Sequence, residues 1–91
     1  MLTPVYSNKY LRDVRRMSMR GRDVTKLDTV IELLCNEESL PEQYRDHPLH
    51  GKYKGYRDCH IEGDWVLVYK ADRDQLFLIL SRTGSHSDLG F

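Results

Sequence analysis

The chain has 91 residues, with 14 lysines and arginines balanced by 14 aspartates and glutamates, so it carries no net charge when its four histidines are neutral. That length fits a single domain over residues 1–91, burying only about 60–65% of the surface its unfolded chain exposes. The neutral balance excludes the strong global attraction of a basic protein for nucleic acid and leaves only local charge asymmetry. A long apolar run and a signal-peptide pattern are both absent, so the expectation is a soluble, cytoplasmic protein with no membrane partner.

Residues 2–6, "LTPVY", read as a short edge strand, where Pro4 is tolerated because it need not donate to a ladder. Ser7 is placed to cap a first helix. Tyr6, Tyr10, Val14 and Met17, with Leu11 beside them, form its apolar stripe, and Gly21 suits its end. Lys9, Arg12, Arg16 and Arg20 recur on another side. They belong to a basic stretch over residues 9–26, which holds Asp13 and Asp23 as its two acidic residues. Asp23 or Thr25 can cap a second helix, with Leu27, Val30, Ile31 and Leu34 on its apolar face and Cys35 adjoining. "ESLPEQY" breaks it, and "RDHPLHGKYKGYR" has no apolar period and reads as a long ordered loop.

The remainder reads as β. Residues 56–61 and 65–70 alternate around a turn at Glu62-Gly63-Asp64, and "VLVYK" then leads into the turn "ADRDQ". "LFLILSR" is a near-continuous apolar run, as expected of a central strand covered on both faces. The tail "TGSHSDLGF" reads as turns. An early edge strand, two helices and an antiparallel meander packed on them make an α+β fold.

The polar residues of the β half form a set. On an extended chain Tyr56, Asp58 and His60 share one face, while Cys59 and Ile61 share the other. With Glu62 and Gly63 in the turn, His60 falls opposite Trp65, on the same face, and Asp64 falls at the tip. His47, His50, His60 and His86 all lie in loops or at strand ends, interleaved with Tyr53, Lys54, Tyr56, Arg57, Trp65 and Arg82. Cys35 and Cys59 lack CxxC spacing and are expected as free thiols, Cys59 buried and inert. His47 and His50 alone are a weak metal signal, so neither a metal nor a cofactor is expected. Phosphodiester cleavage would use what remains. Histidines serve as base and acid, a carboxylate orients one of them, a cation neutralises the phosphorane, and aromatic rings stack on bases.

"DHPLHG", "YRDCHIEGDW" and "RTGSH", in that order, resemble the YafQ branch of the RelE/ParE toxin superfamily, and the likeness extends over nearly the whole chain. The resemblance implies a RelE-like fold and a ribosome-dependent endoribonuclease that cuts mRNA in the ribosomal A site by metal-independent attack of the RNA 2′-hydroxyl. It implies a DinJ-like antitoxin as partner alongside the 70S ribosome and mRNA, with DNA contacted only through the antitoxin. Carried over by position, the catalytic residues are His47, His60 and His86 with Asp58 and Asp64, and RNA is held by Arg82, Trp65 and Phe91. His60 is expected as base, oriented by Asp58 or Asp64, and His86 as acid. His50 has no place in the pattern. Lys54 and Arg57 are further expected RNA contacts, and Lys9, Arg12, Arg16 and Arg20 supply an expected contact to ribosomal RNA phosphates. A ParE-like gyrase inhibitor on the same scaffold, a metal-dependent nuclease and a relative that only binds its antitoxin are the alternatives.

Overall fold

In a computed structural model describing residues 1–91, the elements run β1 (Thr3–Tyr6), α1 (Asn8–Met19), α2 (Thr25–Cys35), β2 (His47–Pro48), β3 (Arg57–Glu62), β4 (Trp65–Asp72), β5 (Phe77–Ser85) and α3 (His86–Leu89). The five strands form one sheet in the order β1-β5-β4-β3-β2. β1 runs parallel to β5, and every other pairing is antiparallel. Ser7 caps α1 as its position predicts, accepting from the Tyr10 amide while its own hydroxyl donates to the Ser81 carbonyl. The Asp23 carboxylate accepts the Thr25 amide at the start of α2.

Both helices pack on one face of the sheet. Tyr10, Met17, Leu27, Val30 and Ile31 meet Cys59, Trp65, Leu67, Tyr69, Leu78 and Leu80 there. A second, smaller apolar cluster lies on the other face, where Val66, Val68 and Leu89 are covered by Leu49, Tyr53 and Tyr56. The strand closed in on both faces is therefore β4, whose residues Trp65 to Tyr69 are all buried, and not the apolar run in β5. β5 lies one place from the sheet edge, and Phe77 and Ile79 keep partial exposure.

Three expectations are corrected. The loop after α2 is built of two 3₁₀ turns (Glu42–Tyr44 and Gly51–Tyr53), with the two-residue β2 between them that pairs His47 with Asp58. The tail is a helix, α3, closed by a capping box in which the Ser85 hydroxyl accepts the Asp88 amide and the Asp88 carboxylate accepts the Ser85 amide. The β3–β4 hairpin pairs His60 with Val66 and Glu62 with Trp65, leaving Ile61 as a bulged extra residue. The turn is thus Gly63-Asp64, one residue later than expected, with Gly63 at φ +58°. That single step moves Trp65 to the helix-covered face.

Trp65 is 0% exposed, and its indole N–H donates to Thr83 Oγ1 at 2.8 Å. Its ring cannot stack on an RNA base. Trp65→Phe should lower unfolding free energy by about 1–3 kcal/mol through a cavity and a lost hydrogen bond. Denaturant unfolding checks this, and a change below about 0.5 kcal/mol would place the ring outside the core.

Candidate functional site

The face of the sheet turned away from α1 and α2 carries the polar set. Pairing across β3, β4 and β5 aligns Asp58 with Val68 and Arg82, and His60 with Val66 and Gly84. β2 adds His47 directly beside Asp58. At the other end α3 folds back over Val66 and Val68, held down by Leu89, and sets His86 at its first turn. The ring centroids of His47 and His60 are 6.5 Å apart and those of His60 and His86 5.3 Å apart. Three histidines distant in sequence thus form one continuous arc. A shallow cleft of about 410 Å³ is lined by His60, Asp64 and His86 together with Gln43, Arg45 and Gly63.

Hydrogen bonds fix which nitrogen of the His60 and His47 rings donates. The Nδ1–H of His60 donates to the Gly63 carbonyl at 3.0 Å, which leaves Nε2 as a free acceptor. The orienting group for His60 is therefore the turn carbonyl, and not Asp58 or Asp64 as expected. Asp64 is exposed at the tip, with Arg22 Nη2 at 4.0 Å. His47 donates from Nδ1 to the Arg45 carbonyl at 2.7 Å, and its Nε2 lies 3.1 Å from Asp58 Oδ1. A neutral ring with its proton on Nδ1 would turn a lone pair toward that oxygen. The contact is attractive only when the pair holds one further proton, on Nε2 or on the carboxyl.

Asp58 is 2% exposed, and its Oδ1 has no well-directed hydrogen bond. Burial pushes its pKa above the ordinary carboxylate range, and the neighbouring His47, His60 and His86 oppose that rise in part. A buried carboxyl with an unsatisfied oxygen beside three imidazoles is costly to keep for stability alone.

Arg82 reaches the same face, and its guanidinium is gripped by Asp13 of α1: Nε donates to Oδ2 at 2.7 Å and Nη2 to Oδ1 at 3.1 Å. Phe91 is 44% exposed, stands edge-on to Tyr53 at 5.3 Å, and lies 6.2 Å from the His86 ring. Tyr53 supplies aromatic surface here that Trp65 cannot.

Several expected site residues lie elsewhere or are already engaged. Arg57 is on the opposite face of β3 from Asp58, donating to Asp46, which also accepts from the Tyr69 hydroxyl. Lys54 is exposed at the end of the second 3₁₀ turn. On α1, Lys9 and Arg12 are exposed, whereas Arg16 donates to Asp13 and Arg20 forms a two-bond ion pair with Asp88. Cys59 is fully buried in the core, where its thiol pKa is raised by desolvation, as an inert thiol should be.

Sequence reasoning missed Asp13, Arg45 and the helical tail. The tail carried a legible signal, the S-x-x-D spacing of Ser85 and Asp88. Arg45 and Asp13 carried none, since their roles arise only from tertiary placement.

A small mixed sheet backed by two helices is the architecture of a class of bacterial toxins. It is shared with a metal-bound toxin from Helicobacter pylori (TM-score 0.92, 39% identity, covering 98% of this chain and 99% of that one). It is also shared with the toxin of the Escherichia coli DinJ–YafQ complex (TM-score 0.88, 40% identity, covering 98% of each chain). The mRNA interferase toxin YafQ of E. coli K12 is 47% identical over 85 residues, 92% of this chain and 90% of that protein. Residues 2–90 match the model of the bacterial toxin of type II toxin–antitoxin systems, YafQ. The chain belongs to the YafQ family of toxins.

The raised pKa of Asp58 has a sign that can be checked. A carboxyl that binds its proton more tightly when folded loses stability as pH climbs from its unfolded value, about 3.9, through its folded value. Asp58→Asn removes that loss. Relative to the unsubstituted protein, the variant should gain stability as pH is raised above about 4. Thermal denaturation across that range reads it, and parallel curves would show that Asp58 titrates normally.

Proposed function

We propose that the protein is a ribosome-dependent mRNA interferase, a cytoplasmic endoribonuclease that cuts message in the ribosomal A site and is neutralised by a DinJ-like antitoxin. The observation that carries this reading is the arc of His47, His60 and His86 beside the buried Asp58, on the same sheet face as Arg82. The names and partners of the related toxins point the same way.

The chemistry follows from the placement of the rings. His60 Nε2 takes the proton of the RNA 2′-hydroxyl, whose oxygen attacks the adjacent phosphorus. The bond from phosphorus to the 5′-oxygen breaks, leaving a 2′,3′-cyclic phosphate, and His86 protonates the departing oxygen. Arg82 neutralises the charge that builds on the phosphorane. With one proton shared between them, His47 and Asp58 form a net neutral pair, so no bare negative charge faces this exchange. Tyr53 and Phe91 offer stacking surface for the splayed bases. Both protons are moved by histidines and the phosphorane charge is met by Arg82, so this scheme calls for no metal.

Contact with the ribosome falls to the cations that are free to make it. Lys9 and Arg12 are exposed on α1, whereas Arg16 and Arg20 are occupied by carboxylates. Lys9→Glu with Arg12→Glu should weaken ribosome association and flatten its dependence on salt, with the fold intact. Ribosome cosedimentation across a salt titration measures this, and unchanged binding would remove Lys9 and Arg12 from the contact.

The decisive experiment is single-turnover cleavage of mRNA on programmed ribosomes, with EDTA added at a free magnesium level that preserves them. Cleavage should persist with EDTA and be far slower on naked message. DNA breakage through gyrase without mRNA fragments would favour the non-catalytic alternative. His86→Ala should lower the rate by roughly 10²-fold or more, as loss of a general acid does. Its stability should shift by less than about 1 kcal/mol, because the ring is part-exposed on a short helix. A folded His86→Ala protein cleaving at the unsubstituted rate would pass the acid role to His47.

A further inference from the structure

Asp13 is the most heavily bonded carboxylate in the molecule, and it lies outside the cleft. It sits on α1 between the core residues Tyr10 and Met17 and is 2% exposed. Its Oδ1 accepts from Arg16 Nη2 at 2.8 Å and from Arg82 Nη2 at 3.1 Å. Its Oδ2 accepts from Arg82 Nε at 2.7 Å and from the Thr83 amide at 3.1 Å. A buried ion pair contributes little net stability over an apolar replacement, so its distinctive product here is geometry. The two-bond fork fixes the guanidinium plane, which a single contact would leave free to rotate. It occupies Nε and one edge of Nη2 and leaves Nη1 unclaimed by Asp13.

We propose that Asp13 is a positioning residue for RNA cleavage: it holds Arg82 by its inner edge so that the outer edge meets the scissile phosphate already oriented. The proposal rests on the reading of Arg82 as the phosphate-binding group. Arg82 is one of the longest and most mobile side chain types, and a free arginine at this site would lose rotamer freedom each time RNA arrives. The fork removes that freedom during folding. Asp13 touches no RNA; its contact with the Thr83 amide, which an asparagine oxygen can keep, holds α1, and its effect on cleavage is exerted through Arg82. Its effect falls on the chemical step rather than on ribosome affinity.

The test is single-turnover cleavage on ribosomes programmed with an open A-site codon, using the full chain as wild type, Asp13→Asn, Arg82→Ala and the double variant. Asp13→Asn is expected to slow cleavage by about 10- to 100-fold, the scale of a small misplacement of a catalytic group. Ribosome affinity should stay within about twofold of wild type, since Asp13 makes no part of that contact. Arg82→Ala should be slowed at least as much. Millimolar methylguanidinium, which can refill the fork against Asp13, should restore part of its rate. Methylammonium, with the same charge and no fork, should not. Adding Asp13→Asn to Arg82→Ala should cost no further rate and should abolish the rescue.

Wild-type cleavage by Asp13→Asn overturns the proposal, as does equal restoration by the two cations or none by methylguanidinium. If Asp13→Asn does not fold, the comparison of the two cations on Arg82→Ala decides alone. Wild-type protein that cuts no message on any programmed ribosome overturns the nuclease reading and this proposal with it. A cleaving wild type with an indifferent Asp13→Asn overturns this proposal only.

Discussion

β5 is longer than the strand that covers its edge. β1 pairs with it from Phe77 to Leu80 and stops at Tyr6, while β5 continues to Ser85. The uncovered stretch has an amide that must find a partner, because a buried backbone donor left alone is costly. The Asp13 carboxylate takes the place of the missing strand by accepting the Thr83 amide. This contact fixes α1 along the sheet, and other interactions follow from the helical spacing. Asp13, Arg16 and Arg20 stand three and four residues apart on one side of α1. Arg16 joins the same carboxylate, and Arg20 reaches Asp88 in the capping box of α3. The helix that looked like a basic surface is in large part a brace. It runs from the edge of the sheet to the short helix that carries His86.

Two bulges decide which side chains reach the open face. In β5 the register steps between Val68–Arg82 and Tyr69–Leu80, which leaves Ser81 unpaired. Strict alternation would put Arg82 with Leu78 and Leu80 in the core. The extra residue turns it to the other side, in line with Val68 and Asp58. In β3 the bulge at Ile61 lies beside the turn whose carbonyl orients His60. Irregularities in the ladder thus place the cation and the candidate base on a face that the regular pattern would have arranged differently.

The helices were legible because amphipathic spacing and a serine cap are local signals: Tyr10 and Met17, Leu27, Val30 and Ile31 all point where their period puts them. The histidines and Asp58 were legible as a set because their chemistry is unusual for loops. Their partners were not. Which atom holds His60 depends on a turn one residue later than the pattern suggested, and the same step hid Trp65 in the core. β5 read as the central strand from its apolar run, yet sheet order depends on where β1 inserts, which no local pattern records. Asp13 read as one acid among basic neighbours. Its role exists only once residues 69 and 70 positions away arrive.

That separation has a kinetic consequence. β1 meets β5 across nearly the full chain, Thr3 opposite Phe77, and the Asp13–Arg82 fork spans a similar loop. Contacts of such range are among the slowest to form, because the loop must close before they contribute anything. The hairpin of β3 and β4 is local and can assemble early, setting His60 beside Asp58. The oriented arginine and the braced α3 come only when the two ends of the chain have met. A partly folded molecule therefore displays histidines without an assembled site, and opening of β1 and α1 alone is enough to dismantle it while the rest of the sheet stands.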